Sequence, residues 1–279
     1  MHLVAQKKKF KKTLKIFIYG YFCFFIYTIV LLKDGTEMEW LASNYTYKTI
    51  IKYVVFCTVD FAIPLWYLIA MLETYLLWFF VVKRKKENQL LKLIPFLFIF
   101  YILLTTICET NNLPWFCQVN FVSKALPWFL FGYYVHLIEK EKINKQRDSF
   151  FIIMALIGCS IALIPVVFET NVDFSCVGSI PFSIALFIIA IKHPEKTLFK
   201  PIEYIGDKLS LNVYIFHLLI AGVIEFVAKF FNIDIKGDLF LWSKPIITLV
   251  ASILFAFIIE KINQIIKNKK NFKNLIYKA

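Results

Sequence analysis

Glycine is scarce in this chain: eight occur in 279 residues, and none lies in a glycine-rich phosphate loop. Arginine is scarcer still. Arg84 and Arg147 stand alone among 32 basic residues, so bidentate phosphate clamping is all but excluded and lysine must serve as point charge. His2, His136, His193 and His217 are too scattered, against each other and against the six cysteines, to give a metal-ligand spacing, and no metal site is expected. There is no repeat of fixed period, no heptad seam and no low-complexity tract, which excludes solenoids and coiled coils. Acidic residues are few as well, 19 against 32, giving a formal net charge of +13.

What the chain has in excess is apolar surface. It is 59% hydrophobic and 18% aromatic, with a mean hydropathy of +0.68, outside the range of ordinary globular domains. Eight runs are candidates to cross a bilayer: Leu14–Leu32, Phe61–Val82, Leu93–Cys108, Phe121–Ile138, Phe150–Phe168, Phe174–Ile191, Leu209–Phe231 and Leu239–Ile259. The expected fold is therefore all-α, a polytopic membrane helical bundle of about eight transmembrane helices and a single domain over residues 1–279. Lys124 and Lys244 fall near span ends, where a lysine can snorkel to the interface. Met1–Lys12 is similar to the basic start of a signal peptide, but no small-residue cleavage site follows, and the first run is expected to be retained.

Charge placement fixes the orientation and excludes a nucleic-acid partner. Most lysines fall in Lys7–Lys15, Lys83–Lys92, Lys140–Arg147, Lys192–Lys208 and Lys261–Lys278, which alternate with the spans. By the positive-inside bias these face the cytoplasm, and so do both termini. Trp40, Trp66, Trp115, Trp128 and Trp242 sit toward the opposite face, as an aromatic belt requires, and only Trp78 falls toward the inner half. Cys108 and Cys117 bracket one outer loop and are the first pair to test for a disulfide, against the alternative of free thiols. Within the outer loop Lys33–Asp60, Tyr45–Cys57 is apolar enough for a short interfacial helix. Thr197–Ile205 is expected to lie on the inner surface, with Gly206 making a turn and Asp207 capping the seventh span. Pro64, Pro95, Pro127, Pro165 and Pro181 are expected inside spans, bending helices or opening a hydrated cavity.

Polar residues inside apolar runs mark the candidate site. Ser210, Tyr214, His217, Ala221 and Glu225 follow steps of three and four, on one helical stripe. Such groups in a span either line a path or bridge helices, and spacing does not choose. On the second run Asp60, Pro64, Tyr67, Thr74 and Trp78 share one side, and Glu73 points away from them near mid-span. Glu73 must be protonated, paired or wet, acting either in acid–base chemistry or as a packing hydrogen bond. The candidate substrate pathway comprises Ser210, Tyr214, His217, Glu225, Trp66 and Tyr67, with His217 and Glu73 the weak candidates for a catalytic group.

Tyr204–His217, reading Tyr-Ile-Gly-Asp-Lys-Leu-Ser-Leu-Asn-Val-Tyr-Ile-Phe-His, resembles the late-helix signature of the membrane acyltransferase-3 family, with its Ile-Gly, Ser-Leu and Tyr-x-x-His. Pro64-Leu-Trp-Tyr-Leu68 and Phe129-Leu-Phe-Gly132 resemble two further family segments, in the right order. The resemblance covers essentially the whole chain and implies a multi-pass O-acyltransferase of the cell membrane. Such a protein moves an acyl group, often acetyl, from cytoplasmic acyl-CoA to a hydroxyl of a surface glycan or glycolipid. Acyl-CoA would be a donor substrate and no cofactor would be bound; the lipid bilayer, the donor and the acceptor would be the partners. The family's arginine followed eleven positions later by histidine is missing: Pro95 stands eleven beyond Arg84 and Gly158 eleven beyond Arg147. Lys7–Lys15 and the aromatic run after it resemble the family's third helix, so the chain is expected to lack the first two. The residues leave open whether the chain is active alone. The alternatives are a polytopic transporter or flippase, and a non-catalytic remnant or partner of an acyltransferase.

Overall fold

The computed structural model describes residues 2–31, 36–138, 143–169, 175–196 and 199–276. Leu32–Gly35, Lys140, Phe174, Thr197 and Lys278 of the sequence reading lie outside them. Among the described residues every regular element is helical. This is the expected outcome for runs of Leu, Ile and Phe with no water to satisfy the backbone, since a helix pairs its own N–H and C=O groups.

The chain divides into two compact units, residues 1–196 and 197–279. The first unit begins with α1 (His2–Leu31), α2 (Glu37–Asn44) and α3 (Tyr47–Phe56). Thr46 caps α3 by accepting from the Thr49 N–H at 3.2 Å, and Cys57 ends it in the left-handed region at φ 55°. A 3₁₀ turn, Ile63–Leu65, leads into α4 (Trp66–Lys83). After it come α5 (Glu87–Leu91) and α6 (Ile94–Thr110), then a π-helical turn, Phe121–Ala125, that runs into α7 (Leu126–Leu137). The hairpin α8 (Asp148–Val167) and α9 (Ser175–Lys192) completes this unit. The second unit comprises α10 (Lys200–Tyr204), a second π-helical turn (Ile205–Leu209), α11 (Ser210–Phe230) and the long α12 (Asp238–Ile276).

Six helical stretches are long and apolar enough to cross a membrane: Gln6–Leu31, Ile63–Lys83, Asp148–Val167, Ser175–Lys192, Lys200–Phe230 and Asp238–Ile266. They coincide, to within two residues wherever a run extends beyond them, with six of the eight expected runs. The other two are α6, which is shorter, and the run Phe121–Ile138, divided between the π turn and α7. Leu103, Ile107, Leu156, Val166, Leu249 and Leu254 are among many apolar side chains left exposed, as in a helix bundle whose solvent is lipid.

Three local expectations are corrected. Gly206 makes no turn and Asp207 no cap: residues 200–230 form one helix that passes through its π turn, and Asp207 pairs with Lys208 at 2.6 Å. Pro64 and Pro95 start helices instead of bending them, because a proline in the first turn forfeits an N–H that has no intrahelical partner, and Pro127 falls where the π turn passes into α7. Only Pro165 and Pro181 of the five sit inside helices. Asp60 lies before the 3₁₀ turn and so cannot share a helical face with Thr74 and Trp78; it pairs with Lys52 at 2.7 Å.

The closest packing is between α8 and α9, where backbone meets backbone. A Cβ on Gly158 would lie 2.7 Å from the Gly178 carbonyl oxygen, and one on Gly178 only 2.3 Å from that of Gly158. Small residues drive such approaches when lipid removes any hydrophobic gain between helices. Trp78 is the largest side chain of the interior, 2% exposed, its ring 4.6 Å from Tyr133 and 5.5 Å from Phe129.

Candidate functional site

The start of α4 and the π turn ahead of α7 lie side by side, and both are held by short-range bonding. The Asn120 side chain accepts from the Ser123 N–H at 2.9 Å, and the Ser123 hydroxyl donates to the Gln118 carbonyl at 3.0 Å. A π turn holds one residue more than an α turn, which re-aims the side chains beyond it. With α6 alongside, Trp66, Tyr67, Met71, Tyr101, Lys124, Ala125, Trp128 and Phe129 enclose a cavity of about 330 Å³. The Lys124 ammonium stands 5.9 Å from the centre of the Trp66 ring and 5.7 Å from that of Tyr101, within reach of both π faces. Among the described residues no carboxylate pairs with it. Lys124 therefore faces a cavity.

Behind this wall lies the Cys57–Glu73 pair. The Cys57 thiol donates to a Glu73 carboxylate oxygen at 3.3 Å, and Cys57 is fully buried against Ala70 and Ala125. Burial pushes the Cys57 thiol well above the usual range, and the Glu73 charge adds to it. Glu73 thus has a hydrogen-bond partner supplied from the end of α3, which nothing in its own helix announces. Nearby on α3 the Tyr53 phenol is pushed up to about 12, by burial first and then by Asp60, and it donates to the Asn44 carbonyl at 3.4 Å.

In the second unit the stripe on α11 forms as spaced, with Ser210, Tyr214, His217 and Glu225 on one helix. The Ser210 hydroxyl turns back to the Gly206 carbonyl at 2.6 Å. His217 Nδ1 lies 2.6 Å from the Tyr214 carbonyl oxygen. A carbonyl can only accept, so Nδ1 carries a proton, and in the neutral imidazole the lone pair lies on Nε2. Glu225 is paired with Lys244 of α12, and this lysine, unlike Lys124, serves an ion pair within the spans. Ile215, Phe216 and Ile220 form the buried side of α11, and Phe216 packs edge-on against Phe255 of α12 at 5.3 Å.

A second concavity, of about 460 Å³, is polar. Asn144, Lys145, Gln146, Arg147, Asp148, Lys192 and His193 line it where α8 begins and α9 ends. Asp148 is held by Lys192 and, at 2.7 Å, by His193, while the Lys192 ammonium also donates to the Gln146 carbonyl. Lys145 and Arg147 remain at its rim, and both are exposed. Among the described residues no group of His, Cys, Asp and Glu could hold a metal ion. The six cysteines are free thiols, Cys108 and Cys117 included.

Of the sequence-nominated residues, the structure brings Trp66 and Tyr67 together at the cavity, and Tyr214 beside His217, whose ring centres are 6.0 Å apart. Tyr101, Lys124, Trp128 and Phe129 were not nominated. Their meeting depends on which helices adjoin, and the one available signal was a lysine amid aromatics and ahead of Pro127 in an otherwise apolar run.

Helices of this length and apolarity, with ionisable groups paired inside them, define a multi-pass membrane helical protein. Residues 5–261 match the acyltransferase domain of the acyltransferase-3 family, and the chain belongs to that family. Neither a curated protein nor a solved structure matches it.

Proposed function

We propose that this chain moves an acyl group, acetyl in the first instance, from acyl-CoA to a hydroxyl of a cell-surface polysaccharide or related acceptor. The family match over residues 5–261 carries this reading. On the donor side, the basic connectors between spans would attract the phosphates of coenzyme A. The polar concavity at Lys145 and Arg147 is one such place with defined walls. On the acceptor side, the cavity around Trp66, Tyr67 and Lys124 offers aromatic surface with a single charge.

Transfer needs a base to take the hydroxyl proton as the oxygen attacks the thioester carbonyl, with the coenzyme A thiolate leaving. The arginine–histidine pair that supplies the family's hallmark is absent from this sequence. The two groups nominated from the sequence, His217 and Glu73, each have a suitable acceptor atom. The neutral His217 imidazole offers Nε2 as acceptor while Nδ1 is anchored to the Tyr214 carbonyl, which fixes the ring. Glu73 already accepts from Cys57, a partner that argues for packing. We assign the base to His217.

Membranes containing the chain, given acetyl-CoA labelled in the acetyl group and a hydroxyl-bearing polysaccharide, test the reading. Label passing to the polysaccharide is the expected result. Labelled acetate alone, or no label beyond that of empty membranes, overturns it.

A further inference from the structure

The cavity at the start of α4 has an unusual lining: five aromatic side chains, one methionine, one alanine and one ammonium. An acyl or alkyl ligand would suit the aromatic walls but would strip water from Lys124 and return nothing. That is a poor arrangement for a charge, which is costly to desolvate without a partner. A small anion alone would satisfy Lys124 and leave the aromatic walls bare. The lining fits a ligand with a flat, C–H-rich face and one negative group at its edge. At about 330 Å³ the cavity is at the lower end of ligand sites, which run from roughly 300 to 1,000 Å³, so it holds one ring and not a chain of them.

We infer that this cavity binds a single sugar ring bearing an anionic substituent, the ring against the Trp66, Tyr67 and Trp128 walls and the anion on the Lys124 ammonium. A carboxylate or phosphate there gains a charge-assisted hydrogen bond, and the ammonium is already centred between Trp66 and Tyr101. This extends the acyltransferase reading, on which it rests, by making the acceptor an acidic glycan. Lys124 then sets which sugar is accepted, while the aromatic walls contribute to any sugar.

The test uses the full chain in nanodiscs of phosphatidylcholine, titrated with glucuronate or glucose while tryptophan emission is followed, without acyl donor. Glucuronate is expected to change the emission saturably, with half-saturation at least about tenfold below that of glucose. Lys124→Met is expected to erase that preference and Lys124→Arg to keep it, with helix content by circular dichroism unchanged in both. Trp66→Phe combined with Trp128→Phe is expected to remove most of the signal. Equal half-saturation for the two sugars, or a glucuronate preference that survives Lys124→Met, overturns the inference. So does a response to phosphatidylglycerol in the bilayer with none to glucuronate, which would give the cavity to lipid. The two readings fail separately. Glucuronate binding without acetyl transfer defeats only the enzymatic one, and transfer to acidic glycan that Lys124→Met leaves unaltered defeats only this one.

Discussion

A side chain inside a span is defined by what meets it, and three residues show how differently that can turn out. Cys57 has no exposed surface and donates a hydrogen bond to Glu73, and the thiol is held above its ordinary range. The thiolate is the nucleophile, so a raised pKa keeps the reactive form rare. A maleimide is therefore expected to leave Cys57 unmodified in the folded chain from about pH 7 to about pH 9, and to modify it on unfolding. Mass spectrometry of a variant retaining only Cys57 checks this. Glu73 and His217 looked alike in the sequence, as ionisable groups in apolar runs, and their partners separate them. Glu73→Gln keeps an oxygen to accept from Cys57 and is expected to retain acetyl transfer within a few fold. His217→Gln is expected to lower transfer by about a hundredfold to ten-thousandfold, as loss of a general base does, with donor binding unchanged. Initial rates against acetyl-CoA concentration distinguish the two outcomes. The stripe on α11 was legible because three-and-four spacing is a property of one helix. The Cys57–Glu73 contact was not, because it joins the end of α3 to the middle of α4.

At the scale of elements, the α8–α9 hairpin depends on two missing side chains. A methyl group on Gly178 would meet the backbone of Gly158 and Ala162, at distances no rotamer change can relieve. Gly178→Ala is expected to push the helices apart and cost about 1–3 kcal/mol, seen as a lower thermal midpoint in detergent. The α11–α12 pair carries the opposite risk, an ion pair within the spans. Lys244→Met leaves Glu225 without its partner and is expected to lower the thermal midpoint. Glu225→Gln combined with Lys244→Met is expected to recover much of that loss, so a double-mutant cycle on thermal midpoints checks the pairing. Helix positions were readable from apolar runs to within a few residues, as Phe61–Val82 against Ile63–Lys83 illustrates. The joints were less readable. Gly206 and Asp207 carry turn and cap chemistry, yet the chain runs on through them as helix, because a π turn absorbs the extra residue without freeing the backbone.

For the whole molecule, the alternation of lysine-rich connectors is the argument for sidedness. A reporter active only in the cytoplasm is expected to work when fused at the C-terminus or inserted between Lys83 and Lys92, and to be silent when inserted near Asn112. A silent fusion at Lys83–Lys92 would reverse the assignment of faces. The all-helical, membrane-spanning architecture and the family were legible because composition and three short motifs report on them directly. The cavity was half legible. Trp66 and Tyr67 stood out, whereas Lys124, Tyr101 and Trp128 join them only through helix adjacency, which a single sequence does not record.

The π turn at Phe121–Ala125 makes the chain unusually sensitive to length at that point. An α-helix advances about 100° per residue, so excising one residue there would let the backbone settle into an ordinary helix while swinging Trp128, Phe129 and all of α7 by that angle. Such a deletion would be gentle on helix content and severe on the cavity. The surplus residue works as an indexing notch, and the register of α7 is set by it.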